Sequence, residues 1–301
     1  MKTTVLISIF LSLFLSSAYS MPPKKAKRVI LIALDGISVA GFQKANTPNL
    51  DALLKAGTVS YQTRVVMPSV TLPNWTSHLT GSGPEQHGVV DNSWEINKFV
   101  LPPVEKDSKG YYPSVFTTLK QQIPNIKTAF YYNWINLFYP HNKDYFDDVS
   151  YLEDDAYIEN YDRAFKFIVE NSNNPTLVFL YSVHTDHAGH DHKWMSKEYI
   201  QSIEEADVQI GLFLDKIKQE GLFDDTHFMF LSDHGGIEYG HGGVTVDEMI
   251  VPWGITGPGV KSSYILEAPN NTVNTASSIL YLFGIEQPAS WTGQIPYSIF
   301  R

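Results

Sequence analysis

Carboxylate and imidazole side chains gather at the ends of three apolar runs. Asp233 and His234 lie one residue beyond Phe228-Met229-Phe230-Leu231, Asp186 and His190 follow Leu177-Val178-Phe179-Leu180-Tyr181, and Asp35 follows Val29-Ile30-Leu31-Ile32-Ala33-Leu34 at once. Oxygen and nitrogen donors of these types ligate divalent metal ions. Short apolar runs bounded by polar residues read as buried strands, so a carboxylate or a carboxylate-histidine pair recurs at three strand ends. In an open α/β sheet those ends share one crevice, which is where such folds place their chemistry. Three distant segments are thus expected to meet in one metal site.

A hydroxyl suited to nucleophilic work stands in Pro68-Ser69-Val70-Thr71-Leu72-Pro73-Asn74-Trp75. Pro73 and Asn74 suit the start of a helix, which places Thr71 just before the first turn, where free backbone N–H groups favour an anionic oxygen. A threonine at that place equally serves as a cap, and the residue alone does not choose between the roles.

Other elements must position these groups. Lys127 to Tyr132 and Ile250 to Ile255 also read as strands, and Thr47 to Ala56, Val115 to Gln122, Ala156 to Glu170, Ser196 to Glu220 and Thr275 to Phe283 read as helices. Such alternation predicts an α/β fold with a largely parallel central sheet and helices on both faces. Asn92 to Tyr112, with Leu101-Pro102-Pro103, reads as a long loop or hairpin excursion, and the polar and aromatic stretch Asn133 to Asp155 reads as a rim over the crevice.

Composition narrows the class. Of 301 residues 43% are hydrophobic and 18% charged, the balance of a globular protein rather than a disordered one. The formal net charge of -10 argues against duplex nucleic acid or an anionic membrane as partner, since both need a basic patch, and only Met21 to Arg28 is strongly basic. Lys2, the apolar stretch Val5 to Leu15 and the small-residue tail Ser16 to Ser20 read as a secretory signal peptide over residues 1–20. That stretch is too short to span a bilayer, and no later one reaches the ~20 apolar residues a span needs. A secreted or periplasmic location follows, with one domain over 21–301. The absence of cysteine from a secreted chain fits a bacterial periplasm or exterior, and Asn74-Trp75-Thr76 and Asn270-Asn271-Thr272 read as chance sequons.

Taken in order, Asp35, Thr71-Leu72-Pro73-Asn74, Gly81, His87-Gly88-Val89-Val90-Asp91-Asn92, Asp186-x-x-x-His190, Asp233-His234-Gly235 and His241-Gly242-Gly243 resemble the alkaline phosphatase superfamily, and within it the nucleotide pyrophosphatase/phosphodiesterase branch. The resemblance runs from about Val29 to Gly259. It implies two zinc ions, one held by Asp186, His190 and His241, the other by Asp35, Asp233, His234 and the Thr71 oxygen. It further implies a phospho-threonine intermediate at Thr71 and a phosphate-binding amide from Asn92, acting with backbone N–H at Thr71 or Leu72, on a small-molecule phosphate ester. His187 and His192 are the closest rivals to His190.

Two departures keep the substrate open. Leu72 occupies the position after the nucleophile where nucleotide-hydrolysing relatives often carry an aromatic residue, and His234 and His241 are only seven apart, as in phosphoethanolamine transferases of the superfamily. A phosphomonoesterase or such a transferase is the alternative. A sulfatase would need a modified cysteine or serine in a C-x-P-x-R setting, which this chain lacks. A non-catalytic secreted metal-binding protein is the alternative of another class. Structural zinc sites, however, are closed and cysteine-rich.

Overall fold

The computed structural model describes residues 25–153 and 155–301; the signal-peptide reading of residues 1–20 lies outside them. Among the described residues nine strands form one sheet: β1 (Arg28–Leu34), β2 (Thr58–Arg64), β3 (Lys127–Tyr132), β4 (Asp148–Tyr151), β5 (Thr176–Ser182), β6 (Thr226–Leu231), β7 (Ile250–Thr256), β8 (Tyr264–Ile265) and β9 (Asn270–Asn271). Their order is β4-β3-β5-β1-β6-β7-β2-β8, with β9 beside β2. The block β4-β3-β5-β1-β6 is parallel throughout. Beyond it β7 runs antiparallel to both β6 and β2.

Strand alternation divides the core into two layers. On one face Val29, Leu31 and Ala33 join Leu177, Phe179 and Tyr181 against helices Thr71–Thr80, Val115–Gln122 and Asn274–Phe283. On the other, Ile30, Ile32 and Leu34 join Val178, Leu180, Phe228 and Phe230 against helices Pro48–Lys55, Tyr157–Glu170 and Lys197–Gln219. The expected layered arrangement is therefore present. A strand buried on both faces carries an unbroken apolar run, which is why β1, β5 and β6 stand out in the sequence. β2 did not, because its Ser60, Gln62, Thr63 and Arg64 interrupt any such run. β4 lies inside the stretch read as rim, where four residues of Asp-Val-Ser-Tyr give no pattern.

Candidate metal centre and nucleophile

Strands β5, β1 and β6 stand side by side in register, with Leu34 opposite Ser182 and Ala33 opposite Leu231, so their carboxyl ends are level. Asp35 is the first residue past β1, and its N–H still reaches Ser182 O at 3.0 Å. Past β5 the chain enters helix His184–His192, whose pitch sets Asp186 and His190 on one face a turn apart. Past β6 come Ser232, Asp233 and His234. Residues Ile237 and Gly240 then pair as an isolated bridge, folding the chain back so that the His241 ring stacks on the His234 ring at 3.7 Å and 13°.

Two donor sets result: Asp35, Asp233 and His234 in one, Asp186, His190 and His241 in the other, with the ligand atoms of each set all within 4.8 Å of one another. The same aspartates and histidines are grouped by the family resemblance, which adds the Thr71 oxygen to the first set. Of the rivals to His190, His187 places Nδ1 2.8 Å from Asp155 Oδ1, His192 is exposed, and neither joins a donor set. Buried His78, His87, His141 and His184 are pushed down to between about 3 and about 4 by desolvation, as packed neutral imidazoles are.

Backbone carbonyls orient all three imidazoles. Nδ1 of His234 lies 2.8 Å from Gly235 O, that of His190 2.9 Å from Tyr239 O, and that of His241 3.0 Å from Ser69 O. A carbonyl only accepts, so Nδ1 carries the proton in each ring and Nε2 turns its lone pair to the site. Asp35 is held through Oδ2, which accepts from Trp75 Nε1 at 3.2 Å and from the Tyr181 hydroxyl. Asp233 Oδ1 accepts from Gly36 N at 3.1 Å. In the sequence Trp75 is only a neighbour of Thr71 and Tyr181 only the end of a strand run. Nothing in an apolar run marks which of its aromatic residues ends on a carboxylate.

The opposite oxygens, Asp35 Oδ1 and Asp233 Oδ2, together with Asp186 Oδ1, are buried without a hydrogen-bond partner. Burial, reinforced by Asp186, pushes Asp35 up to about 8; burial pushes Asp186 up to about 7, and burial beside Asp35 and Asp186 pushes Asp233 well above the carboxylate range. Burial drives His234 well down and His241 down. Contacts from His234 Nε2 to Asp35 Oδ1 at 3.4 Å and Asp233 Oδ2 at 3.3 Å are therefore not ion pairs, because the imidazole is neutral. Within the two sets no group supplies the positive charge that the three carboxylates need, and the nearby His187 lowers Asp35 and Asp186 by less than burial raises them.

A small divalent cation fits that need. Tetrahedral coordination at ~2.0–2.1 Å puts ligand atoms about 3.3 Å apart. The His234 Nε2 separations from Asp35, Asp233 and Thr71 Oγ1 are 3.4, 3.3 and 3.2 Å. In the second set Asp186 lies 3.4 Å from His190 Nε2 and 3.8 Å from His241 Nε2.

Thr71 is the first residue of helix Thr71–Thr80, with Val70 at the cap position, and so stands one place deeper than the sequence reading set it. Proline is tolerated in a first turn whose N–H groups lack intrahelical partners, so Pro73 did not fix the start. Asn92 Oδ1 accepts from Leu72 N at 2.8 Å, and Asn136 Nδ2 donates to Asn92 O at 3.0 Å. Leu72 N–H, one of two backbone donors expected for the phosphate, is thereby occupied. Asn74, buried, bonds Val66 N through Oδ1 and the Pro68 and Val70 carbonyls through Nδ2, fastening the loop ahead of Thr71. Trp75 and Trp94 are core residues. Trp134 instead lines a cavity of about 500 Å³ with Asn133, Tyr151, Asp155 and His187.

A largely parallel sheet with two Asp/His donor sets at its carboxyl edge, around a hydroxyl on a helix N-terminus, defines an alkaline phosphatase-like protein. Residues 29–257 match the type I phosphodiesterase / nucleotide pyrophosphatase family, and the chain belongs to that family. It is 28% identical over 234 residues to ectonucleotide pyrophosphatase/phosphodiesterase family member 3 of Bos taurus, covering 72% of this chain and 25% of that one. It is 27% identical over 227 residues to bis(5'-adenosyl)-triphosphatase ENPP4 of Bos taurus, covering 73% and 49%. The chain thus spans between a quarter and about half the length of these relatives. In fold it is similar to murine ectonucleotide pyrophosphatase / phosphodiesterase 5, with a TM-score of 0.75 at 14% identity over 91% of this chain and 100% of that one. An inactive form of the same murine protein in complex with AMP gives a TM-score of 0.74 at 14% identity, covering 91% and 98%.

Proposed function

We propose that the protein is a zinc-dependent phosphodiesterase whose nucleophile is Thr71. The observation that carries this reading is the position of Thr71 Oγ1, 3.2 Å from His234 Nε2, with that ring stacked on His241 of the other donor set. Asp35, Asp233, His234 and Thr71 would hold one zinc ion and Asp186, His190 and His241 the other. When bound, the pair supplies Lewis-acid polarisation of phosphate oxygens and lowers the pKa of the attacking hydroxyl and water.

Thr71 Oγ attacks phosphorus as the bond to the leaving oxygen breaks, and the hydroxyl proton ends on that oxygen. The Thr71–phosphate ester is then hydrolysed: water bonds to phosphorus, the P–Oγ bond breaks, and one water proton restores the Thr71 hydroxyl. Asn92, its Oδ1 held by Leu72 N–H, turns Nδ2 toward a non-bridging oxygen.

Substrate recognition draws on the cavity beside His187, which offers Trp134 and Tyr151 to an ester substituent. Leu72 is fully buried in the core and offers no stacking face. The relatives named for nucleotide hydrolysis and the murine complex with AMP favour a nucleotide ester. Residues 1–20 are assigned as a secretion signal ahead of a catalytic domain over 21–301, which puts the activity outside the cytoplasm. Among the described residues no helix is long and apolar enough to cross a membrane.

The test is turnover of bis-p-nitrophenyl phosphate with acid quenching and mass analysis of the peptide containing Thr71. A phosphoryl adduct on Thr71 that disappears with chelator is expected. Undiminished turnover in chelator, or the adduct on another residue, would overturn the reading.

A further inference from the structure

Trp194 follows helix His184–His192 by two residues and is 2% exposed. Its indole fills a slot between two glycines on different donor-bearing segments. A Cβ at Gly189, on the helix of Asp186 and His190, would lie 2.7 Å from the ring, and one at Gly236, in the turn leading to His241, would lie 2.3 Å from it. Nε1 donates to Gly36 O at 3.0 Å, beside Asp35, and the backbone N donates to Glu238 O at 2.8 Å. Ring centroids lie 5.0 Å from His190 at 86° and 5.9 Å from His241 at 63°. One side chain thus touches every segment that supplies a proposed aspartate or histidine ligand.

The two donor sets depend on it unequally. Asp35 and His234 are held by Tyr181, Trp75 and Gly235 O without Trp194, and Gly36, whose N–H holds Asp233, keeps the Tyr199 hydroxyl on its carbonyl at 2.8 Å when the indole is removed. His190 is 38% exposed along its side chain at the end of a nine-residue helix. Besides its contact with Asp186, one hydrogen bond, to Tyr239 O in the same turn that Trp194 N holds, orients it. Without the indole as a wall, the exposed His190 ring rests on the Tyr239 bond alone and the turn that supplies that carbonyl loses its packing against Gly236, whereas His241 keeps its bond to Ser69 O and its stack on His234.

We propose that Trp194 is a positioning residue for the Asp186, His190 and His241 metal set, acting through ring packing and the turn rather than by touching substrate. The inference rests on the metal-bearing reading above and adds a determinant to it.

The test titrates metal-free protein with Co²⁺, followed by its visible absorption and by elemental analysis after dialysis. Wild type is expected to take two equivalents. Trp194→Leu should weaken one of the two by about 10- to 100-fold, the same one that His190→Ala loses, and leave the other unchanged. Trp194→Phe keeps an aromatic wall and should restore most of that affinity. A purely structural lesion would weaken both sites together; that result, or two sites of wild-type affinity in Trp194→Leu, would overturn the proposal. Should Trp194→Leu fail to fold, Gly189→Ala, which drives a methyl against the indole, is read by the same criteria. Wild type that takes up no Co²⁺ would instead bring down the metal-bearing reading itself.

Discussion

Thr71 Oγ1 lies 3.2 Å from His234 Nε2, and that nitrogen presents a lone pair because Nδ1–H of the same ring is committed to Gly235 O. That lone pair faces the Thr71 hydroxyl and the proposed metal position alike, and burial holds the ring well below its ordinary pKa, which makes it a weak base. In the proposed mechanism His234 would commit the lone pair to the metal, so that cationic charge rather than proton transfer to histidine activates Thr71.

Thr71→Ala should accordingly lower kcat by roughly ten-thousandfold while metal content stays near that of wild type, since three donors of its set remain. Thr71→Ser should keep part of the rate because the hydroxyl survives. Steady-state kinetics with metal analysis on both variants decides it. Wild-type turnover by Thr71→Ala would end the covalent mechanism.

Asn92 separates two roles in one side chain. Its Oδ1 accepts from Leu72 N, a bond that aspartate can also make, whereas only the amide has a donor left for phosphate. Asn92→Asp should keep the thermal stability of the wild type and lose about 100- to 1,000-fold in kcat/KM. A large drop in stability with little kinetic effect would make Asn92 a turn residue fastening the first turn of the helix.

Much of the candidate site is legible in the sequence because chain order and sheet order cooperate. A doubly buried strand announces itself as an apolar run, and β5, β1 and β6 are adjacent, so reading what followed each run located Asp35, Asp186 and Asp233. His241 was not legible that way, as it follows no strand and reaches the site through a tight turn; only the family pattern marked it. Trp194, Tyr181 and Trp75 were invisible as ligand supports, because their partners lie 158, 146 and 40 residues away and no local spacing encodes such contacts. The inner strand β2 and the edge strand β4 are not legible because a polar or very short strand carries no periodic signal.

The metal-free protein should show an unusual pH profile. Asp35 and Asp186 titrate at about 8 and about 7 in the folded state, far above the unfolded 3.8, so the folded state binds more protons and their contribution is lost as pH rises through those values. Buried His78, His87, His141, His184 and His234 are shifted down, so their contribution is lost as pH falls below 6.5. Above pH 6.5 the carboxyls act together with His187, which its hydrogen bond to Asp155 raises and whose contribution is likewise lost as pH rises. Chelated protein should therefore lose thermal stability from pH 6.5 to 8. Zinc should abolish that decline by binding the ionised carboxylates, adding about 2.7 kcal/mol per site at a free concentration one hundred times Kd. Melting curves across that range with and without zinc test it. A flat profile in chelator would show that the carboxylates already have another counter-charge.

Diesters should be preferred to monoesters. A monoester dianion carries an additional charged oxygen, which related monoesterases meet with cationic side chains, often as K-x-R, and this chain contains no K-x-R. Between Tyr61 and Gly110 the basic residues are Arg64, Lys98, Lys106 and Lys109. All four are exposed, and Lys98 and Lys109 are engaged by Glu95 and Asp144. Among the described residues the hydrogen bonds and ion pairs of Thr71, Asn92 and the two donor sets include no lysine or arginine. A second ester substituent would, by contrast, have Trp134 and Tyr151 to meet in the cavity that His187 also lines. Loss of one favourable charge-assisted contact costs about 1.5–3 kcal/mol, so kcat/KM for a methyl aryl phosphodiester should exceed that for the matched monoester by about tenfold or more in one buffer. Trp134→Ala should narrow the gap by weakening only the diester. A monoester preference in the wild type would make phosphomonoesterase the better assignment, with a lysine from outside this segment turned toward the phosphate.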